Sequence, residues 1–451
     1  MSMINRIQSG IAPFLAFLAA IPAAGQITQK PNIILFLSDD HGWRDSGCYG
    51  NNDVRTPNID RLAKEGMRFT HAYAASPLCS PSRCVIETGL MPHRNGGHYQ
   101  NTPIRPGVTT LPVYFKQLGY YTAEIGKFNH PPNEAFPYDH THPKDRTAVD
   151  FIRNYDRKEP LLLVVCSKEA HTPWAKNTDY DPGKIGLPPN FVNTPRTFED
   201  RANYYTDVTN MDSILGDVLK AVDERGLRDD TLFVYTTDQG ANWPFAKWCV
   251  YDAGLRVPFI VRWPDKVAAN SATDAMVSLV DLVPTFLAAA SSSRPDNLDG
   301  RSFLKVLTGE TNQHRQVVFG THTGNKGAPG IGNRSPARTI ITPRYQYVLN
   351  LSPETTFATH ITGCKPSDVH YLPFWDTWTE QAKTDKTAEQ IVNAYLHRQR
   401  EELYDLSADP YEMHNLADDP SQADLRRSLR QQLADWCRQQ GDTDPLEYLE
   451  P

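Results

Sequence analysis

The order of apolar runs and helical patterns predicts a doubly wound α/β domain followed by a smaller α+β domain. Three observations carry this. Ile33–Leu37, Leu161–Val165 and Thr231–Thr237 are short runs of apolar and β-branched residues, the signature of strands buried on both faces of a mainly parallel sheet. Between them lie helical patterns, at Ile59–Gly66 and at Met211–Arg225, the latter with Gly226 as its stop. Alternation of this kind is how parallel α/β sheets are written. Finally, two of the runs end in acids, Asp39 and Asp40 after the first and Asp238 after the third. Ligands gather beyond the carboxyl ends of such strands, so these acids mark the expected site.

Taken in order, the chain opens with Arg6 and an apolar run, Ile11–Ile21, broken only by Pro13 and followed by the small residues Ala23 and Gly25. This reads as a signal peptide over 1–25, too short to span a bilayer comfortably. Export to a periplasmic or extracellular destination, or to the lysosome in a eukaryote, is therefore expected. The main domain is expected over 26–340 and includes a further strand at Phe259–Val261. The stretch Gly320–Pro336 is rich in Gly, Asn and Pro and reads as a long loop near the site or a junction between domains. Two strand-like runs follow, Ala337–Ile341 and Tyr345–Leu351. A helix is expected over Asp424–Gln440, with Leu425, Leu429, Leu433 and Trp436 on one face. The smaller domain is thus placed at 341–451.

A length of 451 residues accommodates both units. The net charge of −7 argues against nonspecific nucleic-acid binding, and no later stretch is apolar and long enough for a membrane helix. Seven cysteines are present, with no C-x-x-C spacing. If Cys79 is set apart chemically, up to three disulfides are open to the rest.

The strongest local signal is Cys79-Ser80-Pro81-Ser82-Arg83. It resembles the C-x-P-x-R signature of the type I sulfatases, on the sulfatase and alkaline-phosphatase-like fold. The resemblance extends through PNIILFLSDD, TPNIDRLAKEGMRFTHAY, Gly126-Lys127, TDQG at 237–240, YDAGLRVP at 251–258 and ELYDLSADPYEMHNLA at 402–417, in family order. It implies that a formylglycine-generating enzyme oxidises Cys79 to formylglycine. The hydrated aldehyde would then offer one hydroxyl to attack sulfur and a second to expel sulfate as the aldehyde re-forms.

The resemblance further implies a Ca²⁺ site made of Asp39, Asp40, Asp238 and Gln239 with the modified residue 79. All are oxygen donors, as calcium requires. Gln239 stands where the family has Asn. Arg83 is implied to hold formylglycine and a sulfate oxygen, Lys127 is the catalytic Lys of the family's G-K-x-H element, Lys247 is implied to bind a sulfate oxygen, and His171 is the implied proton donor to the leaving atom. The family's G-K-x-H element is shifted here, in Gly126-Lys127-Phe128-Asn129-His130, so that either His130 or Asn129 takes the place of its His. His322 and Arg338, from the loop-rich region, are candidate sugar contacts.

Within the family the chain is most similar to the heparan N-sulfatases (sulfamidases), through CSPSR leading to Thr88-Gly89-Leu90, Pro92-His93-Arg94-Asn95-Gly96 and Val318-Phe319-Gly320. Lys247, where those enzymes have Arg, departs from the pattern. The expected substrate is a sulfated carbohydrate, N-sulfated glucosamine first and an O-sulfated glycosaminoglycan or algal polysaccharide second. Phosphatases and phosphonate hydrolases share this fold, and a phosphatase would place Ser or Thr at position 79 with extra His ligands. A non-catalytic glycan-binding descendant would have lost Cys79, Arg83 or the acids, all of which are present.

Overall fold

In the computed structural model, which describes residues 30–127, 133–324 and 335–449, the buried run Asn32–Ser38 forms the central strand β1. The next strands are β2 (Met67–Phe69), β3 (Ala72–Tyr73), β4 (Tyr121–Gly126) and β5 (His140–His142). After these come β6 (Leu161–Cys166), β7 (Thr231–Thr237), β8 (Phe259–Arg262), β9 (Ser271–Thr273) and β10 (Val277–Ser278). Eight of them form one sheet in the order β5-β4-β6-β1-β7-β8-β2-β9, and β3 pairs with β10 alongside. From β5 to β7 every pairing is parallel. β8 runs antiparallel to both of its neighbours, so the sheet is mixed.

Side chains alternate across a strand, so an unbroken apolar run needs cover on both faces. Ile34 and Phe36 of β1 point into a core completed by Tyr204, Val208, Met211, Leu215 and Val218. Ile33, Leu35 and Leu37 point into a second core with Leu111, Phe115, Leu282 and Phe286. The first face is spanned by a 30-residue helix, Pro195–Glu224, capped by Thr194, whose side chain accepts a hydrogen bond from Thr197 N. It begins well before the expected Met211. Its first half buries Asp200, Arg201 and Asp207, which break the apolar stripe.

The second sheet is an antiparallel meander of β11 (Val318–His322), β12 (Ala337–Ile341), β13 (Tyr345–Asn350) and β14 (Glu401–Asp405). The expected boundary at 340/341 therefore falls inside β12, and Gly320, expected to open a loop, lies within β11. The helix Ala423–Gln440 covers this sheet through Leu429, Leu433 and Trp436. The Trp436 ring stacks on Phe319 at 4.8 Å. β13 and β14 are neighbours in space, yet residues 351–400 separate them in sequence. That excursion carries the helices His360–Gly363, Phe374–Gln381 and Lys386–Leu396 and reaches the large sheet's carboxyl edge.

The predicted signal peptide lies outside the described residues. No described helix is long and apolar enough to cross a membrane. All seven cysteines are free thiols, so none of the three disulfides left open by the sequence is formed.

Candidate active site

Because β4, β6, β1 and β7 are parallel, their carboxyl ends lie on one edge of the sheet and deliver Lys127, His171, Asp39 with Asp40, and Asp238 with Gln239 to one place. Successive strand residues normally point to opposite faces, but Asp40 is in the left-handed region at φ 58°. Asp tolerates that conformation better than most residues. The turn lets both acids face the site. Gly126 ends β4 at φ +115°, where a Cβ would lie 1.9 Å from Cys166 O. Only glycine allows the close pairing that sets Lys127.

Cys79 is the first residue of the helix Cys79–Thr88. Pro81 sits in its first turn, where backbone N–H groups have no intrahelical partner to lose. Arg83, one turn on, shares the face of Cys79. Its buried guanidinium donates from Nε to Asp238 Oδ2 at 2.9 Å, from Nη2 to Asp39 Oδ2 at 3.4 Å and from Nη1 to Lys127 O at 3.2 Å. The Cys79 Sγ lies 3.6 Å from Asp39 Oδ1 and 3.4 Å from Gln239 Nε2. Burial pushes its thiol up to about 12, against the pull of Lys247. Unmodified, it is a protonated and weak nucleophile.

Lys127 pairs with Asp39, and Lys247 Nζ lies 2.7 Å from Asp40 Oδ2. Burial opposes ionisation of Asp39, but Lys127, His171, Arg83 and Lys247 outweigh it and hold the carboxyl well below the usual range. Asp238 goes the other way: burial, then the Asp39 charge, push it up to about 7. Crowded buried carboxylates of this kind call for a compensating cation. Oxygens of Asp39, Asp40 and Asp238 lie within 4.8 Å of one another. Gln239 Oε1 is buried with no hydrogen-bond partner, while Nε2 of the same amide meets Asp40 Oδ1. Half a turn of that amide exchanges the two atoms. Three carboxylates and an orphaned amide oxygen fit a hard divalent cation.

His171 Nδ1 donates to Thr172 O at 2.6 Å, since a carbonyl only accepts. That leaves Nε2 toward the site, 3.9 Å from Asp40 Oδ2. Burial, then Lys247, push the imidazole down to about 4. Cys79, Lys127, His171 and Lys247 line a cavity of ≈ 550 Å³, together with Gln100, Asn101, Trp248, His360 and His370.

A family model described as Sulfatase matches residues 31–292. The chain belongs to the sulfatase family. A second model, N-sulphoglucosamine sulphohydrolase, C-terminal, matches residues 240–358, which puts this sulfatase near the N-sulfatase subgroup. It is 33% identical over 431 residues to an "Ulvan-active sulfatase" of Formosa agariphila, covering 92% of this chain and 82% of that protein. It is 29% identical to the human N-sulphoglucosamine sulphohydrolase, covering 94% and 93%. Among solved structures, one described as in complex with its substrate D-glucosamine-2-N,6-O-disulfate superposes with a TM-score of 0.69 at 22% identity, covering 93% of this chain and 100% of that one. This last likeness shows the fold.

The sulfatase brings together Asp39, Asp40, Cys79, Arg83, Lys127, His171, Asp238, Gln239 and Lys247. His130 and Asn129 lie outside the described residues. His322 and Arg338, candidate sugar contacts in the sequence, do not line the cavity. Both are at most 1% exposed. Arg338 is neutralised by Asp442, with Nη2 3.0 Å from Oδ1. The His322 ring packs behind Trp248 at 6.3 Å. In their place the cavity wall carries His360 and His370. These come from the 351–400 excursion, whose sequence bears no motif and was assigned to a separate domain.

Proposed function

We propose that this sulfatase cleaves the sulfamate of N-sulfated glucosamine in a heparan-type glycan. In this reading residue 79 is matured to formylglycine by a formylglycine-generating enzyme along an export route, and Asp39, Asp40, Asp238 and Gln239 hold calcium. The observation that carries the substrate is the match of residues 240–358 to the N-sulphoglucosamine sulphohydrolase C-terminal model. The hydrated aldehyde supplies an attacking hydroxyl and a second one for release of sulfate. Bound calcium supplies fixed positive charge for the sulfate oxygens. The protein's own groups do the rest. Lys127 and Lys247 border the cavity beside Cys79 and receive the sulfate oxygens. Arg83 holds Asp39 and Asp238 in place. His171 delivers the proton to the leaving nitrogen from Nε2 in its imidazolium form, which the negative charge of bound sulfate favours, its other nitrogen being committed to Thr172 O.

A second reading, an O-sulfatase of algal polysaccharides, is favoured by the 33% identity to the ulvan-active enzyme. Rates on glucosamine N-sulfate, glucosamine 6-O-sulfate and ulvan oligosaccharides separate the two. Hydrolysis of O-sulfates alone would remove the sulfamidase assignment. Mass analysis of the tryptic peptide holding residue 79 tests the maturation, and full activity with an unmodified thiol would refute it. Calorimetric titration with calcium tests the donor set. Asp238→Ala is expected to abolish binding, and wild-type affinity in that variant would exclude Asp238 as a ligand.

A further inference from the structure

The 351–400 excursion sends His360 and His370 to the wall of the catalytic cavity, and there they complete a row of rings. Trp248, next to Lys247, meets His360 edge to face at 4.9 Å. His360 lies parallel to His370 at 5.5 Å, and His370 meets His171 edge to face, also at 5.5 Å. Separations of this size are those of ring pairs in contact. His370 is also tied to the residue that anchors His171. Its Nδ1 lies 3.3 Å from Thr172 Oγ1, while Thr172 O accepts from His171 Nδ1. The same hydroxyl takes a hydrogen bond of 3.3 Å from Asn242 Nδ2. A hydroxyl both donates and accepts, so it serves His370 in either tautomer. Thr172 and Asn242 are buried, whereas the His171 side chain is 23% exposed at the cavity.

A proton donor has to hold its N–H within about 2.6–3.2 Å of the atom it serves. One hydrogen bond from Nδ1 leaves the imidazole free to rock about it, and Nε2, across the ring, moves with that motion. We propose that His370 is a positioning residue for His171. Its ring blocks the rocking, and its bond to Thr172 steadies the residue whose carbonyl anchors His171. The inference rests on the proton-donor reading of His171 above and adds what keeps the donor in line. It also gives the excursion a task. Antiparallel neighbours such as β13 and β14 need only a short connection, and this one travels to the large sheet's carboxyl edge and sets His370 against His171.

The test is a double-mutant cycle on His171 and His370, read with two substrates. One is a sugar sulfamate or sulfate, whose leaving atom needs a proton, and the other is nitrophenyl sulfate, whose leaving group does not. His370→Ala is expected to lower kcat on the sugar by about 10–100-fold with KM little changed. On nitrophenyl sulfate the loss should stay under about threefold. Added to His171→Ala, the same substitution is expected to cost nothing further, because the group it positions is gone. Full activity of His370→Ala, a loss carried by KM, or additive losses in the cycle would each overturn the proposal. So would equal losses on both substrates where His171→Ala discriminates between them. His370→Gln, polar but without a ring, is read in the same way where His370→Ala does not fold. The proton-donor reading fails separately, when His171→Ala itself loses equally on both substrates. The cycle still decides in that case: coupled losses sustain the positioning contact and additive ones overturn it. In a chain without activity, the imidazole NMR signals of His171 are expected to shift in His370→Ala, and unchanged signals overturn the proposal.

Discussion

The two nitrogens of His171 are committed differently. Nδ1 is held by Thr172 O at 2.6 Å, and Nε2 looks into the cavity beside Lys247 and Asp40. A proton donor matters only where the leaving atom needs a proton. His171→Ala is therefore expected to lower kcat/KM on a sugar sulfamate or sulfate by about 10²–10⁴-fold. On a nitrophenyl sulfate, whose leaving group departs as a stable anion, the loss should stay under about tenfold. Equal losses on both substrates would show that His171 positions the sulfate and does not deliver a proton. Arg83 is the contrasting case. Its planar fork reaches Asp238, Asp39 and Lys127 O together, which the point charge of a lysine cannot do. Arg83→Lys is expected to cost about 10²-fold in kcat/KM, roughly two charge-assisted hydrogen bonds. Activity within threefold of wild type would remove Arg83 from the frame that sets the site.

At the scale of elements, the carboxyl edge of the sheet works only if each strand stops at the right residue. β4 pairs Gly126 with Cys166, and a Cβ at Gly126 would enter the Cys166 carbonyl. In Gly126→Ala the strand end must shift, and Lys127 with it. Thermal unfolding is expected a few degrees lower, from about 1–3 kcal/mol of backbone strain, with a much larger relative loss of activity than of stability. A variant of wild-type activity would show that Lys127 does not depend on this pairing.

β4 is one of the strands that the sequence did not announce. Tyr121–Gly126 carries Thr122 and Glu124 inside an otherwise apolar strand, so no unbroken run announced it. β1, β6 and β7 were legible because nothing polar interrupts them before their ends. The 30-residue helix showed only its second half for a similar reason. Arg201 pairs with Asp45 at 2.5 Å, and Asp207 accepts from the backbone of Ala175 at 3.1 Å. Buried polar groups satisfied by distant partners look like surface residues in a one-dimensional pattern. The residues that gather at the candidate site were legible because chemistry restricts their type and spacing. The His360 and His370 wall was not, since its location depends on where a long excursion lands.

For the whole molecule, the seam between the two sheets runs through one buried cluster. Asp442, beyond the helix Ala423–Gln440, pairs with Arg338 of β12 and lies 3.3 Å from His93 Nε2. His93 belongs to the short helix Pro92–Asn95 that follows Cys79–Thr88. It stacks on His98 at 4.9 Å, two residues before Gln100 in the cavity wall. Burial, then Arg338, push His93 down to about 3, with His98 and Arg105 acting in the same sense and Asp442 opposing. The unfolded chain binds this proton from about pH 6.5 downward and the folded chain only near pH 3, so stability rises with pH across that window and is lost on acidification. Asp442, held below its usual range against burial by Arg338, loses its contribution in the same direction at lower pH. Between pH 7 and pH 5 the His93 share is about 2 kcal/mol. His93→Gln, which cannot take up the proton, is expected to flatten the loss of stability over that interval by about this amount, measured as denaturant midpoints at the two pH values. An unchanged slope would place the acid sensitivity outside the seam. A flattened one would show that the C-terminal unit and the catalytic helix are joined through a histidine that must stay neutral.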